Sequence, residues 1–137
     1  FLHWGHDITS ENNPFESGLS FAVNLKKKEN FIGKEALEKI KDKPLTNKLE
    51  LFSLRNKSKP GKPLLLHDEP IFKDNEIVGY TTSSNFSFYY NKNICLAYVK
   101  SEIQDSEDLF IEVEGERYSL HLEKNALHDP TSKLMRS

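Results

Sequence analysis

LFIEVEGERYSLHLE, Leu109 to Glu123, is the stretch that decides the fold. Leu109, Ile111 and Val113 alternate with Phe110 and Glu112, which gives a period of two and one apolar face. Glu114-Gly115 has turn chemistry, and Tyr118, Leu120 and Leu122 return on the matching face. A one-residue slip would move every one of these side chains to the wrong side, so the register of this antiparallel hairpin is well specified.

Similar signals recur upstream. Ile71-Phe72 and Ile77-Val78-Gly79-Tyr80 flank Asp74-Asn75, a second tight hairpin. Asn93 to Lys100 is rich in β-branched and aromatic residues and reads as a central strand. A further strand starts near Lys48, with Leu49, Leu51 and Leu54 as its apolar positions and Phe52 out of step. Asn56 to Pro63 and Ser101 to Asp108 have loop composition. Five or six short strands at this spacing predict a small antiparallel barrel or sandwich over residues 46–137.

Residues 1–45 read differently. Asn13-Pro14-Phe15-Glu16 has the order of a helix start: an Asn cap, Pro in the first turn and Glu at the third helical position. Gly18 keeps that helix short, and the alternation of Leu19, Phe21, Val23 and Leu25 predicts a strand. A second helix is expected over Lys34 to Lys41, where Ala36, Leu37 and Ile40 share a face and Glu35 pairs with Lys39. Asp42-Lys43-Pro44 ends it. The fold class is therefore α+β and mainly β.

Composition narrows the function classes. The chain has 137 residues, about one domain, and its 15 aromatics (nine Phe, five Tyr, one Trp) argue against disorder. A net charge of -2 gives no electrostatic footprint for nucleic acid. No apolar run reaches membrane-spanning length. A single cysteine, Cys95, cannot form an internal disulfide and suits a reducing compartment. The chain opens on Phe1 rather than Met, and the expectation drawn from this is a trimmed or excised chain with an incomplete site.

The candidate chemistry is sparse. His3, His6 and Asp7 offer metal-ligand residue types, but Gly5 lies between the histidines and no further Cys or His has motif spacing. The alternative is that Asp7 accepts hydrogen bonds in a turn. Glu16 is either an acid/base group or part of the cap. Cys95, between Ile94 and Leu96, reads as a buried and inert thiol. Phe86, Phe88, Tyr89 and Tyr90 form either a stacking platform or ordinary core and surface positions. His128-Asp129-Pro130 resembles a dyad, yet Asp-Pro marks a turn. No nucleophile motif or Gly-rich phosphate loop is present, and no catalytic residue is assigned.

Taken as an ordered set, WGHDIT, NPFESGLSFAV, FIGKEAL, EPIFKDNEIVGYTTS, NICLAYV and ALHDP followed by Met135-Arg136 resemble the C-terminal part of the folate-dependent aminomethyltransferase family. That family includes the glycine cleavage T-protein and the C-terminal half of dimethylglycine and sarcosine dehydrogenases. The resemblance implies that residues 1–45 are the closing segment of a folate-binding core and 46–137 its C-terminal Greek-key-like β-barrel. It implies tetrahydrofolate as the family cofactor, bound weakly or not at all by this stretch, and FAD only where an upstream dehydrogenase domain exists. The implied partner is the upstream core of the same protein, with no nucleic acid or membrane, in the cytoplasm or, in a eukaryote, the mitochondrial matrix. The family's catalytic aspartate lies earlier than any residue here. Phe21 falls where T-protein has a Trp near the folate, and Lys48 where relatives have an Arg able to meet the folate's glutamate tail. Relatives carry a YGHTLGK-type loop after TTS; here NFSFYYNKN replaces it, so Asn91 or Asn93 is expected to supply the left-handed backbone that Gly gives there. The competing reading is a stand-alone barrel that binds a protein or small ligand through an exposed Phe86–Tyr90 segment. An exposed apolar patch within residues 1–45 would instead mark where a core packs.

Overall fold

A computed structural model describes residues 2–56, 58–103 and 108–137. Six strands, β1 (Asn47–Leu54), β2 (Pro70–Lys73), β3 (Glu76–Ser87), β4 (Lys92–Lys100), β5 (Leu109–Val113) and β6 (Glu116–Glu123), form a closed antiparallel barrel in the order β1-β4-β3-β2-β5-β6. β2, β3 and β4 run as a meander, and β1 lies beside β4 after a long connection, the Greek-key arrangement. Closure leaves no free sheet edge, which lets such short strands hold together.

The β5–β6 hairpin has the anticipated register, Val113 opposite Glu116 and Ile111 opposite Tyr118. Glu114 and Gly115 take φ values of 53° and 79°, the left-handed pair that a two-residue hairpin turn needs. The β2–β3 hairpin closes at Lys73 opposite Glu76 around Asp74-Asn75. Phe52, Leu54, Ile71, Val78, Cys95, Ala97, Val99, Leu109, Ile111, Val113 and Leu120 fill the barrel, with Tyr118 and Leu122 packed against them.

Three expectations are corrected. In β1 it is Phe52, fully buried, that faces the core; Leu49 and Leu51 point to the outer side and are half-buried. Asn13-Pro14-Phe15-Glu16 makes one closed turn rather than a helix. The Asn13 carboxamide accepts from Phe15 N–H (3.0 Å) and Glu16 N–H (3.1 Å), and the Pro14 carbonyl accepts from Leu19 N–H (2.8 Å), so the cap forms without a helix to follow. Gly18, at φ 68°, turns the chain away. The strand expected over Leu19–Leu25 does not form: Ser20–Ala22 make a single 3-10 turn with no buried residue, and among the described residues no strand lies alongside to pair with it. The helix α1 spans Lys34–Ile40, close to expectation, with Lys39 2.6 Å from Glu35. Part of the Ser101–Asp108 loop, residues 104–107, and Lys57 of the Asn56–Pro63 loop lie outside the described residues.

Candidate functional site

One group of buried polar residues, Asp7, Ser17 and Thr82, lies in a seam between the leading segment and the outer side of β1, β4 and β3. Its centre is Asp7, 1% exposed. Its carboxylate accepts from His3 N–H at 2.7 Å, from Thr82 Oγ1–H at 2.6 Å and from Ser83 Oγ–H at 2.7 Å. Two neighbouring residues of a strand normally face opposite sides. Here Thr81 lies opposite Ala97 and Ser83 opposite Leu96, so Thr82 is the extra residue of a β-bulge and both hydroxyls reach the same carboxylate. Thr81, on the other side, donates to the Leu66 carbonyl (2.8 Å) and accepts from Glu69 N–H (2.9 Å), anchoring the loop before β2. Burial pushes the Asp7 carboxyl up, but the bonds from Thr82, His3 and Ser83 outweigh it and hold the group below its ordinary 3.8.

Two further contacts complete the seam. The buried Ser17 hydroxyl shares a 3.0 Å bond with the Tyr98 hydroxyl and donates to the Asn13 carbonyl (3.1 Å). Leu49 N–H donates to the Glu16 carbonyl at 2.8 Å, so the 14–18 turn sits on the Leu49–Tyr98 rung of β1 and β4. Burial raises the Tyr98 phenol above its ordinary value, and it stays neutral as a hydrogen-bonding group.

The sequence-derived candidates are distributed around this seam. Phe21 projects from the 3-10 turn, 85% exposed. Lys48 sits at the start of β1 opposite Val99, with Nζ 3.1 Å from the Glu50 carboxylate, so its charge is already paired. Asp7 is the turn acceptor rather than an exposed ligand. The His3 and His6 rings lie tilted to each other at 4.7 Å, and His6 meets His67 edge-on at 6.0 Å. Among the described residues no group of three or more His, Cys, Asp or Glu is arranged to hold a metal ion. The Glu16 carboxylate lies 3.5 Å from Asn13 N–H, the reciprocal half of the cap. Cys95 is buried, and burial lifts its thiol to about 12. Asp129, at φ 45°, accepts from the N–H groups of Lys133, Leu134 and Met135 and closes a turn. The aromatic cluster divides: Phe86 is buried, Phe88 and Tyr89 are exposed, and the Tyr90 hydroxyl donates to the Leu127 carbonyl. Asn91 takes the left-handed conformation, φ 53°, and Asn93 is buried in β4.

Sequence reasoning missed Thr82, Ser83, Ser17, Tyr98 and Glu50. No local pattern marks the bulge that brings Thr82 and Ser83 to one carboxylate, because it is set by the pairing of β3 with β4.

A closed six-stranded barrel that carries a preceding segment on its outer side belongs to the C-terminal barrel class of aminomethyltransferase and dimethylglycine dehydrogenase-like proteins. The chain is a member of the glycine cleavage T-protein C-terminal barrel domain family, whose sequence model matches residues 50–129. It is 41% identical over 96 residues to an aminomethyltransferase of Symbiobacterium thermophilum, covering 70% of this chain and 24% of that protein. It is 32% identical over 119 residues to human mitochondrial dimethylglycine dehydrogenase, covering 86% of this chain and 13% of that protein. In structure it matches the glycine cleavage system aminomethyltransferase T from Bartonella henselae with a TM-score of 0.77 over 90% of this chain and 34% of the other. At 19% identity that likeness speaks to fold alone. The chain thus spans between 13% and 34% of the length of these three proteins. Among the described residues no helix is long and apolar enough to cross a membrane.

Proposed function

We propose that this chain is the C-terminal part of a tetrahydrofolate-dependent aminomethyltransferase, or of a dimethylglycine or sarcosine dehydrogenase-like protein, of one-carbon metabolism. Residues 1–45 close the folate-binding core, and residues 46–137 form the barrel domain beside it. The chain shapes one wall of the folate channel, and the catalytic aspartate belongs to the upstream region. The single observation that carries this reading is the state of the leading segment. Helix α1 buries no residue, so its apolar face of Ala36, Leu37 and Ile40 is not packed into the barrel core, and Trp4, Phe21 and Ile32 are exposed. The barrel has its own closed core, so these side chains need a surface from elsewhere.

Within this reading Phe21 lines the channel and holds a flat ring by stacking and burial. Lys48 meets the carboxylates of the glutamate tail, in competition with Glu50. FAD enters only through an upstream dehydrogenase region. The test is turnover of dimethylglycine, sarcosine or an aminomethyl donor by residues 1–137 alone and by the protein with its upstream region. Activity in the longer protein alone supports the proposal, and turnover by the isolated chain refutes it.

A second reading rests on the exposed rings of Phe88 and Tyr89: a stand-alone barrel whose contact surface is that corner. It requires that joining the upstream region leave both the stability and the ligand binding of this chain unchanged.

A further inference from the structure

The outer side of a small barrel facing water is normally polar, alternating with the apolar interior. On β1 and β4 it is not. Leu51 lies opposite Leu96 on the outward side, with Ile94 two residues along, and all three are half-buried. The leading segment covers the adjoining Leu49–Tyr98 rung through Glu16 and Ser17. The tail covers the other end, where the Tyr90 hydroxyl holds the Leu127 carbonyl and the Tyr89 ring meets His128 at 5.2 Å. Between them two hollows of about 530 and 430 Å³ open, one rimmed by Leu2 and the other by Leu127. Both are lined by Leu51 and Ile94, so the two hollows lie side by side along this face, together a trough with those side chains at its middle.

We infer that this trough seats a segment of the upstream region of the same protein, docked through aliphatic side chains; the inference rests on the function proposed above. A small-molecule site needs convergent polar groups to orient its ligand. Beside Leu2 the hydroxyls are engaged, Ser83 on Asp7 and Ser84 on the Leu66 carbonyl at 3.3 Å, and at the other end Ser87 Oγ accepts from Tyr90 N–H at 3.3 Å, while the two walls common to both hollows, Leu51 and Ile94, are aliphatic. An apolar segment of polypeptide matches such walls. The upstream polypeptide is the occupant for two reasons. Leu2 of the leading segment is itself part of the rim, two residues before the exposed Trp4, so the segment that presents unpartnered apolar side chains also borders the trough. The relatives matched here carry most of their length outside the matched stretch, which supplies the polypeptide to fill it.

The test is thiol labelling of Leu51→Cys, in residues 1–137 and in the protein with its upstream region. Cys95 is buried, so residues 1–137 without the substitution are expected to stay unlabelled, and each rate is read against the same protein lacking Leu51→Cys. The inference expects brisk labelling in the isolated chain and slowing of about tenfold or more in the longer protein, in proportion to the open fraction of the docked state. Equal rates in both would overturn it; with folate binding intact in the longer protein, the proposed function would survive that result. Protection in the isolated chain accompanied by dimerisation would also overturn it, since the occupant would be a second copy. If Leu51→Cys fails to fold, Ile94→Cys reads the same trough. Loss of both folate binding and protection in the longer protein would count against the proposed function itself.

Discussion

Asp7 and Thr82, 75 residues apart, are joined by a 2.6 Å hydrogen bond in which the hydroxyl donates to a carboxylate withdrawn from solvent. With Ser83 and His3 N–H on the same group, one side chain fastens the leading segment to the barrel. A buried carboxylate costs free energy unless its acceptor sites are filled, and here three donors fill them. Asp7→Ala leaves the buried Thr82 hydroxyl, the half-buried Ser83 hydroxyl and a backbone N–H without their acceptor. The expected loss is about 2–3 kcal/mol, read by urea unfolding, with faster amide exchange concentrated in residues 2–19. Exchange unchanged in that segment would contradict the fastening role.

The same group sets an acid limit. Its folded-state carboxyl lies below the ordinary 3.8, so its contribution is complete above that value and is lost as pH falls through the lower folded value. Unfolding followed from neutral pH down to about pH 2 should show a loss of stability that is smaller in Asp7→Asn. A parallel pair of curves would remove Asp7 from the account.

Gly79 tests the β3–β4 contact. A Cβ there would stand 2.2 Å from the Tyr98 carbonyl oxygen and 2.7 Å from Val99 Cγ1, so backbone must move. Gly79→Ala is expected to cost more than about 3 kcal/mol, seen as a lowered Tm or as failure to accumulate folded protein. A change within about 0.5 kcal/mol, the range of ordinary surface substitutions, would mean that the strands tolerate separation.

Cys95, with its thiol lifted to about 12, should not react with a thiol reagent near pH 8 in the native state and should react fully in denaturant. Rapid native labelling would show that the barrel opens locally.

Phe21 and Lys48 separate stability from ligand contact. Phe21 is almost wholly exposed, so Phe21→Ala should leave unfolding within about 0.5 kcal/mol. In the protein with its upstream region it should weaken folate binding, and Lys48→Met should weaken polyglutamylated folate more than the monoglutamate. Unaltered folate affinity in both variants would take these residues out of the channel.

Legibility in the sequence followed the range of the interaction. The two hairpins and α1 were readable because their signals are local: period-two alternation around Glu114-Gly115 and Asp74-Asn75, and the Glu35–Lys39 pair. Leu19 to Leu25 alternates as well as a strand does, but among the described residues no strand lies beside it, and pairing rather than alternation makes a strand. Phe52 displaced its leucine neighbours from the core because β4 sets the register, with Cys95 opposite Phe52. The role of Asp7 depended on a bulge at Thr82, which no local pattern announces. Phe21 and Lys48 came from the family resemblance, and the neutralising partner Glu50 was not foreseen.

The most direct measurement is calorimetric titration of tetrahydrofolate into residues 1–137 and into the protein carrying its upstream region. The account predicts little or no heat of binding for the isolated chain and saturable binding when the upstream region is present. Equal, saturable binding by the isolated chain would contradict it.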